Sequence, residues 1–222
     1  MSLNDSNTTL KVWSGQVIHL VGLAILLAFL LLAWVSLGRP FFAAFWIAVA
    51  LPVLHQVFVW IAWRSELRSS MISKAMGFGG YLVVFFVLFV GRFLALGILA
   101  YLDQGSLGLG TVPRVLVTGV LTVLSVYAIY SVHRYFGLAR AAGADHFEER
   151  YRTMPFVKKG IFRYTDNGMY IYAFLSFWAI AIGFNSTSAL IVAVFSHAYI
   201  WIHYFATEKP DMDYLYVSKE TN

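Results

Sequence analysis

The chain has 222 residues, 60% of them hydrophobic and 12% charged, and it contains no cysteine. Soluble domains run nearer ~45–50% apolar and ~25% charged, so an ordinary water-soluble enzyme is excluded. The absence of cysteine excludes a disulfide framework, a thiolate-bound metal cluster and a cysteine nucleophile. The formal net charge of +5 raises nucleic acid as a partner, but the basic residues flank long apolar runs instead.

An apolar run of ~18 or more residues reads as a transmembrane helix. Six candidates follow in chain order, at about 16–37, 41–63, 79–102, 112–136, 169–184 and 187–206. The first is not a cleavable signal, because its core is too long and no small-residue cleavage site follows. The fifth is the shortest. Only Asn185-Ser186-Thr187 separates it from the sixth, which predicts a tight helical hairpin. The expected fold is all-α: a polytopic integral membrane protein of about six spans in a single domain over 1–222.

Basic residues collect on the side of a membrane that faces the cytoplasm. With a cytoplasmic N-terminus, 13 of the 16 Lys and Arg residues fall on that side, Lys11 and Lys219 among them. Arg39 and Arg114 fall opposite, and Arg92 lies inside the third run. Both termini are therefore expected in the cytoplasm. Topology explains the positive charge, and no nucleic-acid partner is needed.

Arg134 to Asp166 is the one long hydrophilic connection. Residues 138–152 have helical propensity and mixed charge, which predicts an extension of the fourth span. From Met154 to Tyr164 apolar residues alternate with basic and aromatic ones. Pro155 and Gly160 break any helix there, so this piece reads as an interfacial loop. On the last span His197, Trp201, Tyr204 and Glu208 recur at helical spacing and share one face. Across the hairpin, Tyr170 should reach the level of Glu208, with Asp166, Asn167, Arg163 and Lys159 approaching from the loop. The prediction is a mixed-charge, aromatic-lined pocket at the membrane boundary. Patterning alone fits an ordinary aromatic belt with an orienting basic loop as well.

Other polar residues read more simply. Arg92 costs ~2.5–3.5 kcal/mol near the bilayer centre on insertion scales, and His55 and Gln56 are its expected partners. Pro52 predicts a kink in the second span. His19 and His133 read as interface residues, and Gly108-Leu109-Gly110 is a poor phosphate cradle on the outer side. The sequons at Asn7 and Asn185 fall on the cytoplasmic side and against the bilayer, so neither reads as a glycosylation site.

Two segments together resemble a known superfamily. Gly160-Ile161-Phe162-Arg163-Tyr164-Thr165-Asp166-Asn167-Gly168-Met169-Tyr170 is similar to the signature of the membrane-embedded methyltransferases. These include the isoprenylcysteine carboxyl methyltransferases and the phospholipid N-methyltransferases. Asp166-Asn167-Gly168-Met169-Tyr170 stands closer to the phospholipid branch, with Gly168 in place of a proline. Glu208-Lys209-Pro210 followed by Tyr214-Leu215-Tyr216 resembles that branch's Glu-Glu-Pro, with Lys209 in the second acidic place. Tyr135-Phe136-Gly137-Leu138 resembles the end of its preceding span. The likeness covers 134–216, which makes 112–222 the methyltransferase core and 1–111 a scaffold.

The resemblance implies S-adenosylmethionine as cofactor, S-adenosylhomocysteine as product and no metal. Carried over, the cofactor contacts fall on Pro155, Phe156, Val157 and Phe162, then on Asn167, Gly168, Met169 and Tyr170. Glu208 would hold the cofactor's ammonium group, and Arg163 or Lys159 suits its carboxylate. Phe162 lacks the hydroxyl of the family's tyrosine, and Lys209 rules out a two-carboxylate clamp. An amine acceptor must lose a proton before attack, for which Asp166, His197 and Glu208 are the candidates. Tyr204 stands where a substrate-binding Arg might be, which disfavours a prenylcysteine acceptor.

The expected activity is methyl transfer to a membrane lipid amine, phosphatidylethanolamine or its partly methylated forms. The alternatives are a lipophilic carboxyl or thiol acceptor, a polytopic carrier, or an inactive assembly protein. The expected host is a bacterial inner membrane, or else a reticulum membrane.

Overall fold

The computed structural model describes residues 12–216. Lys11, Lys219 and the Asn7 sequon lie outside them. The described residues form helices joined by turns and loops, with no strand among them. Five helices are long and apolar enough to cross a membrane: α1 (Gln16–Ser36), α2 (Phe42–Ser69), α3 (Gly77–Leu102), α4 (Thr111–Phe136) and α6 (Thr187–Tyr216). The fifth expected span, α5 (Met169–Gly183), is apolar but shorter. At 1.5 Å per residue it covers only ~22 Å, less than a ~30 Å hydrocarbon core.

The helix α6 is the centre of the bundle and packs against α1, α2, α3 and α5. Its buried face carries Ser188, Ala189, Ala193 and Ser196, small residues that let neighbouring backbones approach. The larger side chains Phe45, Leu96, Leu99, Phe177 and Tyr199 fill the core around it. By contrast α4 leans on α5 and scarcely touches α3. Long apolar side chains cover the outward faces, as lipid requires. Pro52 lies within α2, which continues past it as one helix.

At one end of the bundle Asp103 ties the α3–α4 loop to the hairpin turn. It accepts hydrogen bonds from Ser186 Oγ and from the Ser188 backbone N–H, both at 2.8 Å. Asn185, in the left-handed region at φ 59°, holds both the N–H and the C=O of Leu109. These bonds make 108–110 a structural loop and occupy the Asn185 side chain.

The other end carries residues 137–168, and here two expectations fail. Residues 138–152 do not extend α4, because Gly137 and Gly143 at φ 92° and 84° break the chain into short helical turns. Gly143 cannot be replaced, since a Cβ there would lie 2.3 Å from the Trp63 ring. The second span, expected to end at 63, runs on to Ser69. Arg64 therefore lies within α2, is 0% exposed and pairs with Asp211 of α6 at 2.5 Å.

Candidate active site

Three π-helical turns meet at this end: Val132–Phe136 closes α4, Met169–Ala173 opens α5, and Tyr204–Glu208 interrupts α6. Each widens its helix locally, a device that is frequent at functional sites. The Tyr170 hydroxyl donates to the Glu208 carboxylate across the hairpin. Tyr204 and Trp201 stand with ring centres 5.7 and 6.0 Å from that of Tyr170.

Two cavities meet at this pair. A polar one of about 470 Å³ lies under the 137–168 segment, and an apolar one of about 350 Å³ runs between the helices. Met169, Tyr170 and Glu208 line both. The polar cavity also has Phe156, Val157 and Phe162 from the loop, Asp166 and Asn167 from the motif, and Tyr204 from α6. The remaining sequence candidates lie elsewhere. The Pro155 carbonyl accepts from Arg140 at 3.2 Å, outside the cavity wall. Arg163 and Lys159 are exposed and line neither cavity. Gly168 is buried under Ile161, whose Cγ2 a Cβ would meet at 2.7 Å. A proline ring at 168 would press on Ile161, which fits glycine in that position.

His197 also lies in neither cavity. Its Nδ1 accepts from the Trp178 indole at 3.1 Å, and its ring packs on Phe174. The spacing put it on the right stripe, but the stripe is longer than the site.

Several lining residues were not singled out by sequence. Lys158, rather than its neighbour Lys159, supplies the loop's cation. Arg140 is 9% exposed, lies 4.9 Å over the Phe136 ring and holds the carbonyls of Met154 and Pro155. It thereby fixes the path of the loop. His203 is 1% exposed and lines the apolar cavity, with no hydrogen-bond partner on either ring nitrogen. An unpartnered buried imidazole leaves no mark in a sequence.

A buried network fixes the turn that bears Glu208. His146 bonds Asp145 at 3.0 Å and Asp211 at 3.2 Å, and stacks on Trp63 with ring centres 4.1 Å apart. Tyr216 donates to Asp145, and Arg152 holds the carbonyls of Asp145 and His146. Burial alone would lower the His146 pKa, but its two carboxylate partners outweigh burial and hold it at about 9. The same bonds from His146 and Tyr216 bring the Asp145 carboxyl below its ordinary value, against the pull of burial.

The polar cavity is lined by Arg140, Lys158 and Lys209, by Asp145, Asp166, Glu208 and Asp213, and by aromatic rings. That surface matches a zwitterion carrying a flat ring. Among the described residues no group of three or more His, Asp or Glu is placed to hold a metal. Residues 113–219 match the family model described as phospholipid methyltransferase. The match covers just under half of the chain and marks a likeness of that segment to the phospholipid methyltransferases. No curated protein and no solved structure matches the chain. Its five long apolar helices mark an integral membrane protein, and the likeness over 113–219 supports a methyltransferase.

Proposed function

We propose that the protein transfers a methyl group from S-adenosylmethionine to the amine of a membrane lipid, phosphatidylethanolamine or its mono- and dimethyl forms. One observation carries this reading: a polar cavity and an apolar cavity share the Tyr170–Glu208 pair. A water-soluble donor and a lipid acceptor need such a junction. The polar volume lies within the ~300–1,000 Å³ usual for small-molecule sites.

The residues suit the cofactor. Glu208 would take its ammonium group, Arg140 and Lys158 its carboxylate, and the rings of Phe156, Phe162 and Tyr216 its adenine. When bound, it supplies an electrophilic methyl on a sulfonium, so the protein has mainly to position and desolvate the acceptor. Met169 and Tyr170 line both cavities, where the methyl would pass from one to the other. A lipid ammonium must first lose a proton. His203 is the imidazole placed to take it, since Asp166 lines only the polar cavity and His197 lines neither. The polar cavity opens to the cytoplasm under the topology argued from the basic residues.

The test is transfer of labelled methyl by purified protein in nanodiscs, with phosphatidylethanolamine in one reaction and a farnesylated cysteine in another. Label in the phospholipid that disappears with Glu208→Ala is expected. Label in neither acceptor would refute the proposal. Label only in the prenylated acceptor would move it to a carboxyl or thiol substrate.

A further inference from the structure

The inner end of the apolar cavity is charged. Arg92 of α3 is 3% exposed and lines that cavity, with its guanidinium 5.3 and 5.2 Å from the ring centres of Phe174 and Phe177. Nη1 meets His55 Nδ1 at 3.2 Å, but Nε and Nη2 have no hydrogen-bond partner, and neither has His55 Nε2. Among the described residues the only carboxylate lining the cavity is Glu208, which is already engaged by Tyr170. A buried guanidinium with two idle donors and no counter-ion is a costly arrangement unless a ligand completes it. Two parallel donors suit a carboxylate or a phosphate.

Depth narrows the choice. Tyr170 reaches Glu208, whereas Phe174 and Phe177 lie under Arg92, four to seven residues further along α5. At 1.5 Å per residue that places Arg92 ~6–10 Å deeper in the bilayer than the Tyr170–Glu208 pair. In an amine phospholipid the phosphate lies a few bonds from the nitrogen, on the side of the acyl chains. An acceptor with its nitrogen toward the shared mouth therefore lowers its phosphate toward Arg92. The chains can leave sideways, because Phe86 of α3 and Ile129 of α4 line the same cavity and those two helices scarcely touch.

We propose that Arg92, backed by His55, binds the phosphodiester of the acceptor phospholipid and so selects phospholipids over phosphate-free amines. This rests on the lipid-amine reading above. Nothing in the family match bears on it, because both residues precede position 113.

The test has a binding arm and a kinetic arm. Detergent-solubilised protein is heated with a short-chain phosphatidylethanolamine, with dodecylamine, or with inorganic phosphate. The first should raise the melting temperature, and the other two should do so much less. Equal stabilisation by dodecylamine would overturn the phosphate site, and equal stabilisation by inorganic phosphate would overturn the lipid assignment. In nanodiscs, Arg92→Gln should raise the KM for phosphatidylethanolamine at least tenfold, with S-adenosylhomocysteine binding unchanged, and Arg92→Lys should recover part of the loss. An unchanged KM in Arg92→Gln would sink the inference while leaving the methyl-transfer reading intact. If wild type methylates no amine, that reading fails, and the binding arm still judges the phosphate site. If Arg92→Gln does not fold, the wild-type ligand comparison decides alone.

Discussion

Tyr170 and Glu208 do at the scale of single residues what the site needs: one hydrogen bond joins α5 to α6 and aims a carboxylate at the junction of two cavities. A hydrogen bond to a charged group contributes about 1.5–3 kcal/mol, or roughly 10–100-fold in an equilibrium constant. Tyr170→Phe should weaken S-adenosylhomocysteine binding by about that factor, measured by equilibrium titration. Undiminished affinity would show that Glu208 does not depend on this tyrosine. Gly160 fills a different need. It sits at φ 60°, and a Cβ there would lie 2.5 Å from Ser131 Oγ, which accepts the Ile161 N–H at 3.0 Å. Gly160→Ala should destabilise the motif loop by about 1–3 kcal/mol, visible as faster proteolysis between 153 and 165. The motif itself was legible in the sequence at both places. Residue spacing could not show that Arg140 rather than Arg163 faces the cavity, because the turn is irregular and no helical or strand period governs its side chains.

Among the elements, α6 shows where sequence reasoning stopped. Its apolar period and the hairpin turn were readable, since Asn185-Ser186-Thr187 leaves room for nothing longer. The buried pair of Arg64 with Asp211 was not, because a basic residue at the end of an apolar run looks like an orienting charge. Asp211→Asn leaves Arg64 buried without its carboxylate and should cost about 3–5 kcal/mol. Thermal unfolding in detergent checks this, and a variant as stable as wild type would mean that the pair is dispensable. His146 adds a pH dependence to the same clamp. Its folded pKa of about 9 exceeds the ordinary 6.5, so its stabilising effect is complete below pH 6.5 and is lost as pH rises through 9. The melting temperature of the wild type should therefore fall across pH 6.5–9.5, and that of His146→Gln should stay flatter. Parallel curves for the two proteins would refute the assignment.

The whole molecule is asymmetric in a way that decides how an acceptor arrives. Helices α1, α2, α3 and α5 surround α6, but α4 stands out from α3, and the apolar cavity lies behind the gap. A lipid can reach Glu208 through that gap without leaving the bilayer, whereas the alternative route leads down through the polar cavity past charged walls. The absence of cysteine makes the two routes separable, because one introduced thiol is the only target for a maleimide. Ile129 lines the apolar cavity and is 45% exposed, and Val123 lies on the same helix, 69% exposed and away from it. A bulky apolar maleimide on Ile129→Cys should cut methylation of a long-chain phospholipid by at least tenfold, or about 1.4 kcal/mol in the barrier. The same label on Val123→Cys should leave it unchanged. S-adenosylhomocysteine binding should survive in both, since the polar cavity opens elsewhere. Equal rates for the two labelled proteins would mean that the acceptor comes down through the polar cavity, and the gap between α3 and α4 would then be only a groove for annular lipid.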